Sequence, residues 1–282
     1  MTDERCADAS AAAGEPIAGT AVNVESWLLV ELRGTWRRDV SDYLADDAPG
    51  AAAMRTWLES TPSSRLLFIR RPGTAPASRL AFVVRASEVE AEVRRIELDD
   101  LSDLDALDLA RAGERVETTL VLVCGHGSRD ACCALRGTAV FGALAPHVSA
   151  DELWISSHQA GHRFAANVLV LPQGLQLGRV APEDAPRVVE DARRGTISLG
   201  HYRGRTAYAS RVQAADVAVR AETGLVEVGD LALVADDGER VELSGRDGRR
   251  FAVLVEEADG PSVPASCGAE PATQSTFSAR LV

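Results

Sequence analysis

No stretch of this chain approaches the roughly 20 apolar residues needed to span a bilayer, so the sequence offers no membrane-crossing helix. The opening Met1-Thr2-Asp3-Glu4-Arg5-Cys6 has no apolar core of the kind an export signal requires, and the expected location is the cytoplasm. No Arg or Lys run is long enough to offset a formal net charge of −12, which disfavours nucleic acid and anionic lipid as partners. Cysteine is sparse and odd in number: of five, Cys124, Cys132 and Cys133 are crowded together, while Cys6 and Cys267 stand far off. That distribution suits metal or redox chemistry in a reducing compartment better than a disulfide framework. The chain has no Cys-x-x-Cys motif, and no carboxylate pair can be tied to sugar hydrolysis.

What remains is an ordinary globular composition, 46% hydrophobic and 26% charged over 282 residues, enough for about two domains. Residues 1–20 are Ala-rich and acidic and are expected to be a loosely ordered lead-in. Residues 21–115 read as an N-terminal α/β unit: a strand at Trp27–Leu32, a helix at Ala51–Leu58, then strands at Arg65–Arg70 and Arg79–Arg85. Residues 116–200 open with the continuous apolar run Thr118–Val123, a strand buried on both faces. A helix (Ala131–Leu144), a short strand (Glu152–Ser156), a polar loop (His158–His162), a hairpin (Phe164–Val180) and a closing helix (Glu183–Arg194) follow. Strand, helix, strand, hairpin, helix is a thioredoxin-like order, and the expected class is α/β. Gly34 and Asp39 repeat the spacing of Gly125 and Asp130, which suggests that the first unit is a sister of the second that keeps none of its Cys or His residues. Residues 201–282 read as a helix at Thr206–Thr223 and a β-meander with turns at Asp237-Gly238 and Asp247-Gly248; the segment around Cys267 is expected to be a loop.

The chemistry gathers in two segments, from Cys124 to Cys133 and from His158 to His162, each following the end of a strand. Ligands collect at the carboxyl ends of strands in an open α/β sheet, so two thiols and two imidazoles are expected to meet there. Zinc sites usually take two thiolates from a tighter knuckle than the one Cys124 and Cys133 would form, and Gly161 argues against a helix carrying both histidines. His126, Arg129 and Arg163 either tune such a centre or simply pack and balance the loops.

In these segments the chain resembles the sucrase/ferredoxin-like proteins. The resemblance rests on Cys124-Gly125-His126-Gly127, Arg129-Asp130, Cys133, His158-Gln159-Ala160-Gly161-His162 and Arg163-Phe164-Ala165-Ala166-Asn167. It implies a thioredoxin-like ferredoxin domain holding a [2Fe-2S] cluster, with Cys124 and Cys133 on one iron and His158 and His162 on the other. Cys6, Cys132 and Cys267 are left as structural or incidental. The implied activity is one-electron transfer between donor and acceptor proteins of unassigned identity, at a potential above that of an all-Cys ferredoxin and dependent on pH. Two rival readings are a thioredoxin-fold thiol oxidoreductase using Cys132 or Cys133, and a structural zinc protein.

Overall fold

The computed structural model describes residues 5–45, 48–73 and 77–282. The chain opens with helix α1 (Cys6–Ala12), in which Cys6, Ala7 and Ser10 are buried. The expected lead-in is therefore ordered from Cys6 onward, residues 1–4 lying outside the described part. Its order comes from partners distant in sequence, which no local pattern reveals. The hydroxyl of Ser10 donates to Glu15 at 2.6 Å, Arg163 reaches the same carboxylate at 2.7 Å, and Arg179 donates to the Ser10 hydroxyl at 2.9 Å.

Strand β1 (Ser26–Glu31), helices α2 (Val40–Ala45) and α3 (Ala51–Ser60), and strands β2 (Ser64–Arg70), β3 (Arg79–Ala86), β4 (Ala91–Leu98) and β5 (Glu114–Arg115) build the first lobe. The second comprises β6 (Leu120–Cys124), α4 (Ala131–Leu144), β7 (Leu153–Ser156), β8 (Val168–Leu171), β9 (Leu175–Leu177), α5 (Ala185–Arg193) and β10 (Tyr202–Arg205). All ten strands join one sheet in the order β10-β9-β8-β6-β7-β2-β1-β3-β4-β5. Within it β1 runs parallel to β2 and antiparallel to β3, just as β6 runs parallel to β7 and antiparallel to β8. The two lobes thus share one topology. They meet where β2 and β7 pair antiparallel, through Ile69 with Ser156 and Arg70 with Ile155.

Every residue of β6 is buried, as its unbroken apolar sequence requires, and successive side chains divide between two cores. Val121 and Val123 pack with Val140 and Leu144 of α4 and Val188 and Val189 of α5. Leu120 and Leu122 face a core shared by both lobes, together with Trp27, Leu67, Phe82 and Trp154. Phe82 of β3 meets Trp154 of β7 edge-on at 5.8 Å, although two strands lie between them, so the sheet is strongly curled. Each fully buried large apolar side chain contributes roughly 1.5–3 kcal/mol, and Trp27 and Trp154 are the largest of them. Met54 and Trp57 of α3 cover the outer face of the first lobe.

Helix α6 (Ser210–Thr223) then leads to a separate four-stranded antiparallel sheet, β11 (Leu231–Asp236), β12 (Arg240–Gly245), β13 (Arg250–Pro264) and β14 (Pro271–Leu281). The tail expected as a loop is a long hairpin of β13 and β14, with Cys267 in its turn. On α6, Arg220 and Asp216 form a buried pair at 3.0 Å, and the Tyr202 hydroxyl donates to the same carboxylate at 3.0 Å, tying α6 to the large sheet.

Candidate metal centre

Strand β6 ends at Cys124, and α4 begins six residues later with Asp130 as its N-cap, the carboxylate accepting the Cys132 amide at 2.8 Å. The helix crosses the strand end at close range. A Cβ on Gly137 would lie 2.0 Å from the Cys124 carbonyl oxygen, so only glycine permits the approach that brings Cys133 over Cys124. Opposite them, β7 ends at Ser156 and the chain runs through residues 157–161, with Ala160 and Gly161 both at φ 70°. Each carbonyl along this turn receives a side-chain donor: His158 from Arg65 at 2.8 Å, Gln159 from Gln176 at 2.9 Å, Ala160 from Arg203 at 3.1 Å and Gly161 from Asn167 at 2.9 Å. The turn is held from both sides, which fixes a left-handed alanine that would otherwise be strained.

Three of the four expected side chains meet at their donor atoms, and the fourth stacks against one of them. The donor atoms of Cys124, Cys133 and His158 lie within 4.8 Å of one another. The His162 ring stacks on that of His158 with centroids 4.5 Å apart. His158 Nδ1 and His162 Nδ1 are buried and have no hydrogen-bond partner. Two orphaned imidazole nitrogens beside two buried free thiols make a soft, mixed sulfur and nitrogen donor set, chemically suited to a metal. The hydrogen bond from Cys133, reinforced by His158 and the Gln159 amide, holds Cys124 well below the ordinary thiol range, and Cys133 is pushed up in return. Burial, together with its neighbour His158, lowers His162 to about 4, so its imidazole is neutral at physiological pH.

His126, left open between tuning and packing, has a definite place. Its ring is buried; Nε2 donates to the Arg37 carbonyl at 2.8 Å, which leaves Nδ1 to accept the His158 amide at 3.1 Å. It positions His158. Arg129 pairs with Asp39, and the Ser128 hydroxyl donates to the Trp36 carbonyl at 2.6 Å, so the 125–130 loop rests on its counterpart in the first lobe. That lobe carries neither Cys nor His between residues 21 and 115. Arg203, outside the sequence expectations, lies fully buried under the turn, bonded to Asn167 Oδ1 at 2.9 Å and Thr20 Oγ1 at 3.0 Å. Burial and the nearby Arg163 lower it to about 9, while the thiols of Cys124 and Cys133 act the other way. Sequence gave no sign of its role, because its partners come from three distant segments.

Cys132 turns away from Cys133 and Cys124. Its sulfur lies 3.7 Å from that of Cys6 and 3.3 Å from that of Cys267, so the three cysteines set aside as incidental form a group of their own with Asp130.

Fold and rim together define a class, a two-lobed α/β protein with Cys-rich side-chain groups able to bind metal. The sucrase/ferredoxin-like family model matches residues 17–204, and the chain belongs to that family. Among curated proteins it is similar to altered inheritance of mitochondria protein 32 of Meyerozyma guilliermondii, 34% identical over 98 residues that cover 30% of this chain and 34% of the relative. The protein of the same name from Eremothecium gossypii is 32% identical over 106 residues, 33% of this chain and 34% of that one. The matched segment thus spans about a third of the length of these relatives. No solved structure matches the chain. No helix among the described residues is long and apolar enough to cross a membrane.

Proposed function

We propose that the protein is a one-electron carrier holding a [2Fe-2S] cluster, with Cys124 and Cys133 as ligands to one iron and His158 and His162 as ligands to the other. The observation that carries this reading is the pair of buried, unpartnered imidazole nitrogens stacked beside two buried thiols. A cluster bound there supplies reversible one-electron chemistry, and two neutral imidazoles in place of thiolates remove negative charge and raise the potential relative to an all-Cys centre. The residues around it hold the ligands: His126 and Arg65 fix the backbone of His158, and Asn167 and Arg203 fix the turn that carries His162. Arg65 and Arg203 bring cationic charge near a centre that is anionic when reduced. Five free cysteines fit work in a reducing compartment, for which we propose the cytoplasm.

The test is anaerobic purification of the full chain with visible and electron paramagnetic resonance spectra and iron and sulfide counts. A coloured protein with two irons and two sulfides per chain is expected, and Cys124→Ser should abolish both. A second reading has one observation in its favour: three donors within 4.8 Å are as compact as the shell of a single ion, which suits mononuclear zinc completed by His162. Under that reading the protein is colourless and Cys124→Ser loses one equivalent of zinc.

A further inference from the structure

We infer that Cys6, Cys132, Cys267 and Asp130 form a second, separate metal site, a tetrahedral centre for a single Zn2+ that ties both terminal regions of the chain to helix α4. The sulfur separations are 3.7 Å for Cys6 and Cys132, 3.6 Å for Cys6 and Cys267, and 3.3 Å for Cys132 and Cys267. The carboxylate completes the set, with Asp130 Oδ1 3.4 Å from Cys267 Sγ and 3.9 Å from Cys6 Sγ. Four donors around zinc, with bonds of about 2.3 Å to sulfur and 2.0 Å to oxygen, are separated by about 3.8 Å between sulfurs and 3.5 Å between sulfur and oxygen. Those tetrahedral edges match the observed spacings. A disulfide would bring two of the sulfurs to about 2.05 Å and leave the third unpaired. Three sulfurs mutually this close share one ion; a polynuclear iron–sulfur cluster spreads its thiolates over several irons.

The surroundings are arranged for anionic donors. Asp130 is buried, and among the described residues it forms no ion pair with an Arg; its oxygens accept the amides of Cys132 and Cys267, each at 2.8 Å. A buried carboxylate packed against three thiols without a cation is costly, and a divalent ion removes that cost. The four donors come from α1, the N-cap and first turn of α4, and the β13–β14 turn, segments 124 to 261 residues apart for the pairs that include Cys6. A cross-link of this kind joins those segments at one point, next in sequence to Cys133 of the first site.

Elemental analysis of the full chain should find one zinc per chain, kept in Cys124→Ser/Cys133→Ser and lost in Cys267→Ser, whose iron content should match the parent. Co2+ added to the metal-free chain should give the strong visible bands of tetrahedral thiolate coordination in the parent and in the Cys124→Ser/Cys133→Ser protein. In the untouched parent chain, Cys6 and Cys132 should resist iodoacetamide until a zinc chelator is added, a reading that requires no variant to fold. The inference is overturned by a zinc-free parent, by zinc that leaves with Cys124 and Cys133 but not with Cys267, or by a disulfide among the three cysteines in mass spectrometry. The two sites are separated by the variants, since metal of the first leaves with Cys124 and Cys133 and metal of the second with Cys267, so failure at one site leaves the other legible.

Discussion

At the scale of single residues, the candidate centre depends on side chains that bind no metal themselves. His126 accepts the amide of His158, and truncating it would leave that N–H without a partner at a part-buried site. His126→Ala is expected to cost about 1–3 kcal/mol in urea unfolding and to lower the metal content of the purified protein; unchanged stability and metal content would refute the positioning role. Histidine titration adds a second expectation. Burial lowers His126 and takes His162 down to about 4, against a value of 6.5 in an unfolded chain. His162 also faces His158, Asp130, Arg129 and Cys124, whose opposing charges do not reverse the shift. Between those pH values the unfolded chain binds more protons than the folded one. The metal-free protein should therefore hold its full stability above pH 6.5 and lose it as the pH falls towards 4, measured by the urea midpoint across that window. Residue identity made the four candidate ligands legible, because Cys and His are rare here and clustered. The companions Cys6, Cys132 and Cys267 were passed over, since nothing local marks three cysteines scattered over the chain as neighbours.

At the scale of elements, the approach of α4 to β6 sets the geometry of the thiols. Gly137→Ala places a methyl carbon 2.0 Å from the Cys124 carbonyl, and backbone on both sides leaves no soft neighbour to yield. The variant is expected to lose at least about 1–3 kcal/mol together with its bound metal, read by thermal melting and elemental analysis; a fully loaded variant of normal stability would contradict the packing described. Elements with a one-sided or continuous apolar pattern were readable from sequence, and α4 occupies the expected Ala131–Leu144. Strand β4 was not, because Ala91–Leu98 carries Glu92, Arg94, Arg95 and Glu97 among only three buried apolar residues. Strand β14 is polar and largely exposed and owes its existence to pairing with β13. The segment from Phe164, read as a strand, is a short turn of 3-10 helix at His162–Phe164 whose ring lies under the guanidinium groups of Arg163, Arg179 and Arg203; the ladder begins only at Val168.

At the scale of the molecule, one topology appears twice in a single curled sheet, and only the second copy carries the donors. The repeat was visible in sequence as a matched Gly and Asp spacing, but the joining of the lobes was not, because it depends on two β-bridges between β2 and β7. The first lobe contributes support: Arg37, Trp36 and Asp39 bind the 125–130 loop, and Phe68 bonds Ser157 next to the site turn. The central claim, a cluster with two sulfur and two nitrogen ligands, is tested most directly by pulsed electron paramagnetic resonance of the dithionite-reduced protein at low temperature. Couplings from two histidine nitrogens on a [2Fe-2S] signal, one of them lost in His158→Cys and the other in His162→Cys, are the predicted result. A reduced protein with no signal, or a signal with no nitrogen coupling, would contradict it.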